Sequence, residues 1–254
     1  MNRKSIMHQN ILENYLNDLL NVQQFHDYCP NGLQVEGQAP IQILVSGVTA
    51  SRALLEAALD LHADTIIVHH GYFWRGEDAC LRGIKRQRIA TLIQHNINLY
   101  AYHLPLDAHA ELGNNTQFGK KLGITEEGRF GEHDIAAYGF FQNPLNLDEL
   151  DNLLSSVLRR KPLIISDPSK TVQRIAWCTG AAQGYFDEAI RLGVDAFITG
   201  EISEQNVHTA RESGTAFISA GHHATERYGI QALGDHIARK FGITHHFIDV
   251  ENPV

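Results

Sequence analysis

Sulfur, tryptophan and long apolar runs are scarce in this chain of 254 residues, and each scarcity excludes something. Its three cysteines, Cys29, Cys80 and Cys178, are odd in number, far apart and in no C-x-x-C spacing. A disulfide framework is therefore not expected, and the three read as reduced thiols. No apolar run is long enough to span a bilayer. The start, Met1-Asn2-Arg3-Lys4-Ser5-Ile6, leads into a stretch with Glu13, Asn14, Asn17 and Asp18 rather than a signal-peptide core. The expectation is a cytoplasmic protein with no membrane partner. Positive charge is in deficit: 21 Lys and Arg stand against 29 Asp and Glu, a formal net charge of -8. That disfavours a coat on nucleic acid or on a membrane surface. It leaves a nucleotide substrate open, because a bound metal reverses the local charge. No G-x-x-x-x-G-K-S/T phosphate loop is present.

What the chain has in surplus is histidine, 15 in all against two Met and two Trp. The pair His69-His70 follows Thr65-Ile66-Ile67-Val68, a β-branched run that reads as a buried strand. Open α/β sheets place ligands at the carboxyl ends of their strands. Successive strand residues point to opposite faces, so both rings reach one site only if the chain turns there, which Gly71 allows. Around this strand the periodicity predicts a helix over 6–22, a turn over Tyr28-Cys29-Pro30-Asn31-Gly32-Leu33-Gln34-Val35, a strand over 41–48 and a helix over 51–62 capped by Ser51. A basic helix over 84–95, a strand over 97–102 ending at His103 and a helix from Asn114 to Leu122 follow. This is the strand–helix alternation of an α/β sheet. Residues 126–134 read as a polar connection, followed by a strand over 135–141, a helix over 147–159 and a strand over 163–166.

The pattern then recurs. Residues 61–68 and 192–199 align without gaps (192 − 61 = 131), each ending a helix–strand unit. His103 and Asp107 match His222 and Glu226 (222 − 103 = 119). The fold expected is α/β, with two pseudo-repeated lobes: residues 1–125, a connector or cap over 126–170, and residues 171–254.

Imidazole nitrogen and carboxylate oxygen without thiolate form a ligand set suited to Zn, Mn, Fe, Co or Ni. His222 and Glu226 are spaced i, i+4 at the start of a predicted amphipathic helix and can reach one ion. His103 and Asp107 share the spacing, but Pro105 disfavours helical geometry at Leu104, so a loop is expected there. His69, His70, His103, Asp107, His222 and Glu226 exceed the needs of one four-coordinate zinc and suit two divalent ions, the usual hydrolytic arrangement. In the repeat, Glu201 stands where His70 stands in the first lobe. It could orient a ligand or act as general base, and His208, about two helical turns on, could share its face.

Pro30-Asn31-Gly32-Leu33-Gln34-Val35, Val68-His69-His70-Gly71, His103-Leu104-Pro105-Leu106-Asp107, Thr199-Gly200-Glu201 and Gly221-His222-His223-Ala224-Thr225-Glu226 together resemble the Nif-three-like family, whose members are often labelled GTP cyclohydrolase I type 2 homologues. The resemblance spans nearly the whole chain and corresponds to the short form without an inserted middle domain. It implies a dinuclear metal site in the cleft between two lobes, with His69, His70, Asp107, His222 and Glu226 as ligands, Glu226 bridging, and His103 matching the family motif. It also implies a ring-shaped homohexamer. The expected function is metal-dependent hydrolysis of a small nucleotide-like or phosphorylated molecule. The alternative is a non-catalytic metal-binding ring scaffold or regulatory interaction protein.

Overall fold

Short buried runs such as Thr65–His70 and Ala196–Thr199, alternating with helices, set the architecture. In the computed structural model, which describes residues 7–254, the elements in chain order are α1 (Gln9–Leu19), β1 (Gly32–Val35), β2 (Ile43–Thr49), α2 (Arg52–Asp60), β3 (Thr65–His70), α3 (Gly83–Gln94), β4 (Asn98–Ala101), α4 (Leu104–Ala108) and α5 (Asn114–Leu122). There follow β5 (Thr125–Phe130), β6 (Ala136–Asn146), α6 (Leu147–Leu158), β7 (Leu163–Ile165), β8 (Thr171–Cys178), α7 (Phe186–Arg191), β9 (Ala196–Thr199) and α8 (Glu204–Ser213). The chain closes with β10 (Ala216–Ser219), α9 (His222–Thr225), α10 (Arg227–Phe241) and β11 (Thr244–Phe247). The expected start of the first helix at residue 6 lies outside the described residues. None of the described helices is long and apolar enough to cross a membrane.

The chain divides into two compact units. One runs through Leu106 and takes in Ile230–Glu251; the other comprises Asp107–Gly229 and Asn252–Val254. The first carries a five-stranded sheet in the order β1-β4-β3-β2-β11, parallel except for the edge strand β1. Strand β3 is buried on both faces up to His69, as expected where helices cover both sides of a parallel sheet. Leu54, Leu55 and Ala58 of α2 and Ile89 and Leu92 of α3 join Ile66, Val68 and Leu99 in its core. The Ser51 hydroxyl caps α2 by accepting from the Leu54 N–H at 3.3 Å.

The second unit carries a six-stranded sheet, β5-β6-β8-β9-β10-β7, in which β8, β9 and β10 are parallel and the other strands antiparallel to their neighbours. Its core gathers Phe118, Leu150, Leu154, Ile175, Trp177 and Ile198. Residues 126–170, expected as a connector, are built into this sheet through β5, β6 and β7. The polar run 126–134 is mostly edge strand: β5 is exposed over its first half, so no alternating apolar pattern marks it.

The two units repeat the same hydrogen bonds. In the first, one Asp64 carboxylate oxygen accepts from the Gln42 and Ile43 N–H groups at 2.8 and 3.1 Å. In the second, Asp195 does the same for Gln173 and Arg174 at 2.9 Å each. The backbone carbonyls of Asp64 and Asp195 accept from Asn98 and Ala216, both at 2.9 Å. The carboxylate pairs sit at the offset of 131 read from the sequence, and Asn98 and Ala216 at 216 − 98 = 118. The later offset differs by one. Val68 faces Ala101 and Thr199 faces Ser219, which sets β4 against β10 at 219 − 101 = 118. His103 therefore aligns with Gly221, and the second unit carries one extra residue before its histidine. Gly221, at φ +100, absorbs it in a conformation that favours glycine.

Strand β11 is tied to β2 by a polar chain that runs from the buried Ser46 to the exposed Asp235: Ser46 Oγ lies 2.7 Å from His245 Nε2, and His245 Nδ1 lies 2.8 Å from Asp235. The distances are those of a nucleophilic triad, but Ser46 is wholly buried in mid-sheet. No substrate reaches it, and the chain acts as a clamp between strand and helix.

Candidate metal centre

Every histidine of the first unit's cluster is held by its inner nitrogen. His69 Nδ1 lies 2.9 Å from the Tyr102 carbonyl. A carbonyl only accepts, so Nδ1 carries the proton and Nε2 carries the lone pair. His103 Nδ1 lies 2.7 Å from Asp27 Oδ1, and His70 Nδ1 lies 3.3 Å from the Thr49 hydroxyl. The three imidazoles each offer a ring nitrogen within 4.8 Å of the others. Ring centroids are 4.6 Å apart for His69–His70 and 5.0 Å for His69–His103. Strand β3 continues through His70, so the turn at Gly71 comes after both rings. A Cβ on Gly71 would meet Gln34 Oε1 at 2.2 Å and Ala101 Cβ at 2.6 Å, which excludes larger residues at this bend. Trp74 packs its ring edge-on against His103 at 5.0 Å.

Asp27 was not among the expected site residues. Its carboxylate accepts from His103 Nδ1, from Asn31 Nδ2 at 2.8 Å and from the Leu104 N–H at 3.0 Å, while the Asn31 carbonyl oxygen receives the His103 N–H at 2.7 Å. Burial alone would raise the Asp27 carboxyl pKa; the His103 contact and the hydrogen bonds from Asn31 and the Tyr28 N–H together outweigh it and hold it below the usual carboxylate value. Cys29 joins Asp27 and His103 in a second grouping with metal-ligand spacing. Burial and the Asp27 charge push its thiol up to about 12, which keeps it protonated at neutral pH. The expected turn 28–35 thus supplies Asn31 to the support of His103, and its last four residues form strand β1, paired with β4, rather than a turn.

Pro105 does not force a loop. Residues 104–108 form α4, with Pro105 in the first turn, where a missing N–H breaks no intrahelical bond. At the helix end Asp107 Oδ1 accepts from Asn114 Nδ2 at 2.8 Å, and the Asn114 oxygen accepts from the Gly229 N–H at 3.0 Å.

In the second unit His222 and Glu226 span a break rather than one continuous helix. The single turn α9 ends at Glu226, whose φ and ψ of -101° and 5° separate it from α10. The two side chains still meet, His222 Nε2 lying 3.2 Å from Glu226 Oε2. Glu201 lies on the other side of the ring, with Oε1 2.7 Å from His222 Nδ1. A neutral imidazole has one N–H, so a ring between two carboxylates requires a proton or another cation on one side. Burial disfavours charge on His222, yet the Glu226 and Glu201 carboxylates overcome it and raise its pKa to about 9. A divalent ion between Nε2 and Glu226 meets the same need, so the donor set fits a metal. Gly180 makes room for it: a Cβ there would lie 2.2 Å from Glu226 Oε1. The Thr225 hydroxyl accepts from the Gly180 N–H at 3.1 Å and donates to the His222 carbonyl at 2.9 Å, fixing the turn. Under it the fully buried Cys178 thiol is pushed well up by burial and by the charges of Asp107 and Glu226. His208, expected near Glu201, forms an exposed i, i+4 pair with Glu204 at 3.0 Å.

The Duf34/NIF3 (NGG1p interacting factor 3) family matches residues 7–253. The chain belongs to this family. It is 52% identical over 237 residues to a Pseudomonas aeruginosa protein named GTP cyclohydrolase 1 type 2 homolog, covering 92% of this chain and 94% of that one. An Escherichia coli protein of the same name is 51% identical over 243 residues, covering 95% and 98%. Among solved structures, protein ybgI, of unknown function, superposes with a TM-score of 0.94 at 51% identity over 98% of this chain and all of that one. A Thermus thermophilus protein gives 0.89 at 33% identity with the same coverage. The two-sheet α/β architecture is thus a NIF3 fold.

Within this NIF3 chain, the side chains that aim the ligands were the least visible in the sequence. Asn31 lay in a stretch that reads as turn chemistry, and Asp27 just ahead of it carried no signal. Asn114 and Asn115 read as a helix start, although Asn115 also accepts from the Thr179 N–H at 2.9 Å.

Proposed function

We propose that this NIF3 protein is a dinuclear-metal-dependent hydrolase acting on a small nucleotide-like or phosphorylated molecule. The observation that carries the reading is His222 clasped between two carboxylates, because that arrangement calls for a cation beside Nε2. The metals would be held by His69, His70 and His103 from the first unit and by Asp107, His222 and Glu226 from the second, with Glu226 as bridge, in a cleft that the two lobes complete together. The donor sets support this division. Three neutral imidazoles alone leave a dication's charge uncompensated, whereas the second unit supplies carboxylates. When bound, two divalent ions supply an acidified water and neutralise charge on the attacking and leaving oxygens.

The chain's own residues do the aiming. Tyr102 and Asp27 fix the tautomers of His69 and His103, and Glu201 fixes that of His222. Glu201, on the rim of the same turn, is the residue suited to hold a proton taken from water; His208 is a weaker candidate for that role. Substrate identity is proposed from the names of the relatives, GTP cyclohydrolase 1 type 2 homologs. A cytoplasmic homohexameric ring is proposed with it. The test is a screen of metal-loaded protein against nucleotides, damaged nucleotides and phosphoesters, with mass in solution measured alongside. Metal-dependent turnover of one class is the expected result; none in any class rejects the enzyme.

A second reading has one observation in its favour: the family's own description, NGG1p interacting factor 3, is that of an interaction protein. If this chain is a scaffold with structural ions, the ions exchange slowly and chelation unfolds it.

A further inference from the structure

One cation of the second unit is unaccounted for by the metal ligands and their supports. Helix α6 ends at Leu158, and Arg159 follows in the left-handed region at φ 57. Its last carbonyls are taken by the segment just after Glu226: Arg227 Nη2 donates to Leu158 O at 2.8 Å, and the Tyr228 hydroxyl donates to Val157 O. The end of α6 is thereby tied to the turn that carries His222 and Glu226. Arg160 lies directly on that turn. A Cβ built on Gly221, the residue before His222, would come within 2.3 Å of Arg160 Nη1 and 2.8 Å of its Cζ. Glycine is needed there for two separate reasons, its φ of +100 and the guanidinium stacked against it. The Gly221 N–H in turn donates to Gly200 O at 3.0 Å, and Gly200 precedes Glu201.

In a chain with 29 acidic against 21 basic side chains, a cation finds a carboxylate easily. Arg160 makes no ion pair among the described residues, and its Nη1 is buried without an acceptor. A buried guanidinium N–H with no acceptor is unfavourable, and arginine cannot relieve it by losing its proton. Such a group makes sense where an acceptor arrives with a ligand. The planar fork matches the paired oxygens of a phosphate.

We propose that Arg160 binds a non-reacting phosphate group of the substrate, beside the His222–Glu226 turn. The proposal deepens the hydrolase reading and rests on it for the substrate's place. It names the group that recognises the phosphate.

The experiment uses the full-length protein with inorganic phosphate and pyrophosphate as probes. Binding is measured by titration calorimetry for wild type, Arg160→Met and Arg160→Lys, and bound metal is measured on the same samples. Wild type is expected to bind, Arg160→Met at least about ten-fold more weakly and Arg160→Lys in between, with metal content equal in all three. Equal phosphate binding by wild type and Arg160→Met, or none by wild type, overturns the proposal whatever the metal content. If phosphate binding depends on Arg160 in protein that takes up no metal, the hydrolase reading fails while the Arg160 site stands. A measurement without a variant covers misfolding: phenylglyoxal labelling of wild type, read by peptide mass. Phosphate should protect Arg160 and leave the exposed Arg159 reactive; equal labelling of Arg160 with and without phosphate overturns the assignment.

Discussion

The first and second units build the same strand–helix–strand–helix–strand frame, down to an aspartate that accepts two N–H groups from the start of the preceding strand, and then load it with different side chains. At the end of β3 and beyond β4 the first unit presents His69, His70 and His103. Beyond β9 and β10 the second presents Glu201, His222 and Glu226, with Asp107 pinned by Asn114. The shared part is backbone bookkeeping that any α/β sheet of this kind needs; the difference is charge. Imidazole donors bring no fixed charge and can cluster, whereas two carboxylates on one histidine demand a proton or another cation. A duplicated scaffold thus carries two side-chain sets of complementary charge character rather than two copies of one set.

The widest test of that division is Glu226→Gln. It removes the carboxylate that clasps His222 while keeping the shape, and metal affinity measured by competition with a chelator should fall by more than the roughly 100-fold typical of losing an outer-shell partner. If the ions stay bound, the first unit's histidines suffice and the complementarity is wrong. Next come the matched aspartates. Asp64→Ala removes a buried carboxylate and leaves two N–H groups without their acceptor, and should cost about 3 kcal/mol in urea unfolding, whereas Asp195, half-buried, should cost about 1 kcal/mol. Equal costs would mean that the repeat is energetically symmetric. The orienting carboxylates follow: Asp27→Asn and Glu201→Gln should each weaken metal binding by about 10–100-fold with little loss of stability. The smallest effect is on pH. Because His222 is raised to about 9, its contribution to apo-protein stability is complete below the unfolded value near 6.5 and is lost as pH rises through 9. The expected slope is about 1 kcal/mol per pH unit between 7 and 8.5. It should vanish in His222→Gln, and metal uptake near pH 7.5 should release about one proton per chain from His222. A slope unchanged in the variant would assign the pH dependence elsewhere.

Much of the frame was legible because its strands are fully buried. Thr65-Ile66-Ile67-Val68 and Ala196-Phe197-Ile198-Thr199 announce themselves as apolar runs, and α5 begins at Asn114 and ends at Leu122 as the closing Gly123 indicated. Strand β5 was not legible, since an exposed edge strand such as Thr125-Glu126-Glu127-Gly128 carries no alternation. Strand β11 was hidden for another reason: its parallel partner β2 lies some 200 residues earlier (244 − 43 = 201), beyond the reach of local periodicity. The repeat was readable through β3 and β9 at an offset of 131, but the one-residue insertion at Gly221 shifts the histidines out of strict equivalence. The ligand residues stood out as histidines at strand ends. Asp27, Asn114 and Arg160 did not, because single polar residues in loops look alike until their partners are known.

The most direct measurement is elemental analysis of protein expressed without added metal and purified in chelator-scrubbed buffer, repeated after dialysis against zinc, manganese, iron, cobalt and nickel salts in turn. A centre shared by the six ligands predicts about two bound divalent ions per chain, falling together in Glu226→Gln. A folded chain that retains none of the five metals would contradict it.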